Sequence, residues 1–227
     1  MEIQTKDDLK KLWVDFFHHL YETSTYCELL YAPLLASSKK HIGEKTAKHN
    51  YEIIKKYNYF FNSVERGISY ALVLSVTQMF EDGNDKRKRT LAYLLDEARK
   101  FKINKWHNYE SLQVRHKETL ENLKSARDQY FAHRQKNLNV KSIPSANKMY
   151  ALLNDIADLL NYIGQEFENG GETYLWHKNE AGWSKKVQGD FQRILDNLHR
   201  GEATRKAEIE VKYSRKLYTE QSYKKQT

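Results

Sequence analysis

The chain has one cysteine, two prolines and nine glycines in 227 residues. Cys27 has no partner for an internal disulfide, and a zinc site built from several thiolates is excluded. Its place on an apolar helix face reads as core packing. So few breakers predict long, uninterrupted helices. No run reaches the about 20 apolar residues that a membrane span needs. The opening residues, Met1 to Asp8, lack a basic segment followed by an apolar run, so they do not read as a secretory leader. No period-2 pattern marks a strand. A phosphate-binding glycine loop, a His-Glu-x-x-His pair and a nucleophile elbow are also absent. These absences describe a cytoplasmic protein without a membrane segment, and nothing in the pattern requires a metal or another cofactor.

What the chain does have is apolar periodicity and positive charge. Hydrophobic residues make up 40% of it, enough for a core, and the formal net charge is +8. A basic balance suits an anionic partner such as nucleic acid. Leu9, Leu12, Trp13, Phe16, Phe17, Leu20, Cys27, Leu30, Tyr31 and Leu34 recur at helical spacing, which predicts a first helix over about 7–35, capped by Thr5. Residues 37–48 read as a loop. A helical pattern resumes from Tyr51 to Phe80, as one piece or two, with Phe60, Phe61, Val64, Ile68, Ala71, Leu72, Ser75 and Met79 as its inner face. Glu81-Asp82-Gly83-Asn84-Asp85 reads as a turn, and Lys86-Arg87-Lys88-Arg89 as a solvated basic run. Shorter and longer helices follow over 90–101 and 104–134. A strongly amphipathic helix opens at Pro144 or Ser145, with Met149, Leu152, Leu153, Ile156, Leu159, Leu160, Ile163 and Phe167 on one face. The expected fold class is all-α, a helical bundle over residues 1–168 with a C-terminal extension over 169–227. That extension reads as an aromatic loop, a helix over 184–198 and a basic tail that is loosely helical or disordered. The aromatics of 170–186 either cover one end of the bundle or offer a stacking platform for unpaired bases.

One stretch departs from a core pattern. Tyr109, Leu112, His116, Leu120, Leu123, Arg127, Tyr130 and Arg134 form one stripe, apolar at first, then carrying two guanidiniums and a phenol. An arginine is rarely buried unpaired, so this helix end must meet a carboxylate, a second subunit or an anionic ligand. His133 lies on the flank of the stripe. Histidine has the right ordinary pKa to give or take a proton near neutral pH, and arginine offers a permanently charged fork to phosphate oxygens. Those groups suit RNA cleavage, in which the 2′-hydroxyl supplies the nucleophile.

The run Arg127-Asp128-Gln129-Tyr130-Phe131-Ala132-His133 resembles the signature of the HEPN superfamily: an arginine, a polar residue directly after it, and a histidine four to six residues from the arginine. Together with Ser75 to Asp82 and Thr90 to Leu95, it is similar to the branch associated with the abortive-infection protein AbiU. The resemblance covers roughly 7–168. It implies a metal-independent endoribonuclease of a toxin–antitoxin or phage-defence system, with the active cleft at the interface of a homodimer. Arg127 and His133 are then catalytic and Asp128 positions one of them. Tyr130 stands at the cleft edge, and Arg134, added from its place on the stripe, binds a flanking phosphate. In HEPN toxins silenced by a partner nucleotidyltransferase, a tyrosine stands two residues after the histidine; here that residue is Gln135, which leaves any antitoxin or other protein partner unidentified. The alternative is a non-catalytic HEPN-like dimer that binds RNA or a protein, with Arg127 in a structural ion pair to a carboxylate such as Asp155 or Asp158.

Overall fold

The computed structural model of the chain describes residues 3–81, 90–133, 143–167 and 182–224, apart from the side chains of 130–133, 182–185 and 214–224. Every regular element among the described residues is a helix. The first, α1, runs Lys6–Ala36. Its start is fixed by a reciprocal cap: the Asp8 amide donates to Thr5 Oγ1 at 3.1 Å, and the Thr5 amide donates to Asp8 Oδ2 at 3.1 Å. Pro33 lies inside the last turn, and the helix ends three residues later. Where a loop was expected at 37–48, the chain forms α2, Lys39–Ile42, and then α3, Glu44–Lys56. Gly43 joins them at φ 83°, a left-handed conformation that glycine adopts without a Cβ clash.

The remaining elements are α4 (Asn58–Met79), α5 (Leu91–Lys100), α6 (Trp106–Arg115), α7 (Lys117–His133), α8 (Ala146–Gly164) and α9 (Gly182–Lys224). Thr90 caps α5 by accepting the Tyr93 amide at 3.2 Å. The single helix expected over 104–134 is two, α6 and α7, hinged at His116. The C-terminal stretch is one long helix through Lys224. It contains no proline, and charged residues with good helix propensity fill its exposed positions.

The chain divides into two compact units, Met1–Tyr31 with Asn62–Gly182, and Ala32–Phe61 with Trp183–Thr227. The first unit owns the large core. Leu9, Leu20, Leu72, Met79, Leu94, Leu123, Met149 and Ile156 are fully buried there, each worth about 1.5–3 kcal/mol relative to exposure. Both α6 and α7 pack on α8. Trp13 is anchored by its indole N–H, which donates to the Leu160 carbonyl at 2.7 Å. Gly164 is required beside it: a Cβ there would come within 2.3 Å of the Trp13 ring. Cys27 is buried, and burial pushes its thiol up to about 12, so the core reading holds. On α4 the inner face is narrower than its periodicity predicts. Phe61, Leu72 and Met79 are buried, but Phe60 and Val64 are exposed.

The second unit has a small apolar cluster around Ile53, Phe61 and Leu195. Polar contacts add to it. Asn50 donates to the Ala36 carbonyl and to Gln192 Oε1, both at 2.8 Å. Glu202 of α9 is buried and receives hydrogen bonds from Lys56 and from the Tyr57 hydroxyl. No helix among the described residues is long and apolar enough to cross a membrane.

Candidate functional site

The site is built where α7 approaches the end of α4. On α7, Leu123 and Ala126 are fully buried and hold the helix against the core. Arg127 follows Ala126, at the edge of that buried face. Its side chain is about one-fifth exposed, 21%, so the guanidinium is drawn into the protein but remains reachable. Glu81 lies just past α4, at the negative end of that helix's dipole, where a carboxylate is disfavoured unless a cation compensates it. Arg127 is that cation: its Nη1 donates to Glu81 Oε1 at 3.0 Å. On its other side, Nε and Nη2 both donate to Asp128 Oδ1, at 3.0 and 2.9 Å. A guanidinium has five N–H groups. Three are used in contacts among the described residues, which leaves two for a further oxygen.

Arg127 and Glu81 line a groove of about 390 Å³ between α4, α6 and α7. Thr77, Phe80, Gln113 and Lys124 also line it. Phe80 stacks on Tyr109, with ring centroids 6.2 Å apart and planes 10° from parallel. Gln113 donates from Nε2 to the Tyr109 hydroxyl at 3.0 Å.

A second cluster lies at the α6–α7 hinge. The Nε2 of His116 donates to Asp155 Oδ2 at 2.7 Å, and Nη1 of Arg115 donates to the same oxygen at 2.6 Å. His116 is buried, at 7% exposure. Asp155 was a candidate partner for Arg127, but it serves this hinge instead. Arg127 takes Glu81, which in sequence reads as part of a turn. Neither its neighbours nor its spacing mark Glu81, because the contact spans 46 residues.

Of the residues expected at the site, Arg127 and Asp128 are in direct contact. The side chains of Tyr130 and His133 lie outside the described residues, as does Arg134 and the basic run Lys86 to Arg89. The backbone does place His133 as the last residue of α7. Six residues on one helix put it about 120° around the axis from Arg127. His18 and His19, read as surface or rim residues, line a separate cavity of about 240 Å³ with Asp15 and Glu22. His19 Nε2 lies 3.0 Å from the Ser75 carbonyl. No group of three His, Cys, Asp or Glu side chains suited to a metal ion occurs among the described residues.

The family model HEPN_AbiU2, described as AbiU2, matches residues 40–193, more than half of the chain. The chain belongs to the AbiU2 family of HEPN proteins. The all-α bundle is therefore HEPN-like, and its family is tied to abortive infection. The AbiU2 match contains α3 to α8 and the start of α9, so it extends beyond the 7–168 span of the resemblance at its C-terminal end and begins later at the other. Neither a curated protein nor a solved structure matches the chain significantly.

Proposed function

We propose that this AbiU2-family protein is a metal-independent endoribonuclease of a phage-defence or toxin–antitoxin system, with Arg127 and His133 as catalytic residues. The observation that carries this reading is the state of Arg127. It lines an open groove, oriented by Asp128 and Glu81, with two donors unused among the described residues. A phosphate oxygen can take those donors without displacing either carboxylate. The guanidinium then stabilises charge as the phosphorane forms. His133 moves the proton: the 2′-hydroxyl loses its proton, its oxygen attacks phosphorus, and the 5′-oxygen leaves and is protonated. The products are a 2′,3′-cyclic phosphate and a 5′-hydroxyl.

The helical phase bears on assembly. With Arg127 and His133 about 120° apart on one helix, a single copy does not aim both at one phosphate. Two copies across a two-fold axis bring these helix ends together, so the reading includes a homodimer with the site at its interface. In this reading Tyr130 and Arg134 are further RNA contacts. An antitoxin or another protein partner belongs to the same proposal.

The pairing of Arg127 with two carboxylates favours a second reading, a non-catalytic HEPN-like dimer that binds RNA or a protein. Purified wild type and His133→Ala, incubated with RNA in excess chelator, separate the two. The nuclease reading expects cleavage by wild type with cyclic phosphate ends, and a rate at least about 10²-fold lower for His133→Ala. Equal cleavage by both proteins overturns the assignment, and RNA binding without cleavage by either selects the second reading.

A further inference from the structure

The groove beside Arg127 has a composition that neither proton transfer nor charge stabilisation explains. Its size is at the small end of the range for small-ligand sites. Four charged side chains line it, and three are already matched. Glu81 holds Arg127 at 3.0 Å, and Glu121 lies 3.9 Å from Lys117. Lys124 is the exception, without a carboxylate partner among the described residues. It stands three residues before Arg127 on α7, on neighbouring surface of the same helix. The groove therefore offers one uncommitted positive charge next to a guanidinium with donors to spare.

The rest of the lining is of another kind. Phe80 and Leu120 give it apolar surface, with the Phe80 ring braced by its stack on Tyr109. Gln113 is braced as well. Its amide nitrogen is tied to the Tyr109 hydroxyl, which fixes the side chain while leaving one N–H and the Oε1 acceptor. A fixed amide with one donor and one acceptor side by side is a reader of base edges. Cation, apolar wall and oriented amide, in so small a groove, correspond to the phosphate, the planar ring and the polar edge of one nucleotide.

We propose that this groove is a nucleotide subsite for single-stranded RNA, in which Lys124 holds the phosphate neighbouring the one at Arg127 and Gln113 contacts the base. The inference rests on the reading of Arg127 as an RNA-facing residue, and it adds two residues that the arginine–histidine motif does not contain. Lys124 supplies affinity independent of sequence. Gln113 makes the affinity depend on the base.

The test measures binding, so it does not depend on turnover. Full-length His133→Ala protein is titrated with fluorescent RNA hexamers of each single base across a salt series. Lys124→Ala, Gln113→Leu and a distant control, Lys10→Ala, are made in the same background, and each is checked for an unchanged helical spectrum. The expected result for Lys124→Ala is weaker binding of every hexamer by about 3- to 10-fold, with the slope of log affinity against log salt reduced by about 0.7. Gln113→Leu is expected to keep that slope and to change the ranking of the hexamers by about threefold or more. Overturning results are Lys124→Ala and Gln113→Leu proteins that both bind like Lys10→Ala, or a parent that binds no hexamer. If wild type fails to cleave but these binding effects appear, the nuclease reading falls and the subsite stands. If wild type cleaves and both variants bind unchanged, the reverse holds.

Discussion

Arg115 and Arg127 lie on consecutive helices, and each meets carboxylates, yet the two clusters differ in construction. At the hinge, Arg115 is 63% exposed, and the buried part of the cluster is the His116–Asp155 contact beneath it. Both donors converge on one oxygen of Asp155, which ties the hinge to α8. On α7 the arginine itself is the partly buried member, held from two sides, and it lines a groove. An ion pair alone therefore does not show what an arginine is for. How far the guanidinium itself is drawn into the protein, and what holds it there, separate a brace from a site.

The largest effect that could break this comparison is at Asp155. Asp155→Ala removes the acceptor from a buried imidazole and is expected to lower unfolding free energy by about 2–3 kcal/mol, read by urea denaturation. Its cleavage rate per folded molecule should stay within about threefold of wild type, because the hinge holds no reacting group. Next, Arg127→Lys keeps the charge and loses the fork. Cleavage is expected to fall about 10- to 100-fold, whereas Arg115→Lys should leave initial rates within about twofold. Equal losses at the two positions would erase the distinction.

Smaller effects sharpen it. Glu81→Gln keeps an acceptor for Arg127 and removes one negative charge from the groove. Tighter RNA binding, by about two- to fourfold at low salt, is expected in anisotropy titrations, with the gain shrinking as salt rises. The smallest effect tests a third carboxylate cluster, in the second unit. Hydrogen bonds from Lys56 and then Tyr57 hold the Glu202 carboxyl down from 4.5 to about 2. The unfolded chain binds this proton more readily, so the contribution is complete above pH 4.5 and is lost as the pH falls from there toward about 2. Glu202→Gln should flatten the pH dependence of α9 docking in that window, followed by helical signal, without altering cleavage at neutral pH.

Much of the fold was legible because it rests on local pattern. Thr5 reads as a cap in sequence and is one in structure, where Asp8 completes it. Leu152, Ile156 and Ile163 recur at helical spacing and are buried on α8. The stretch 37–48 misled because its polar residues suggested a loop. Charged residues also favour helix, and only Ala47 and Ile53 needed to face inward on α3 beside Asn50. The hinge at His116 was hidden because the apolar stripe continues through it in phase. At the site, Arg127 and Asp128 stood out by their chemistry. Glu81 and Asp155 did not, since which carboxylate meets which arginine depends on how distant helices pack. Lys124 and Gln113 carry no motif, and only the groove makes them neighbours of Arg127.

The most direct measurement is RNA cleavage in excess chelator by Arg127→Ala and Arg115→Ala side by side with wild type, after confirming that all three melt alike. The account predicts that Arg127→Ala loses at least about 10²-fold in rate and that Arg115→Ala stays within about threefold. Cleavage by Arg127→Ala at the wild-type rate, or an equal loss in both variants, would contradict it.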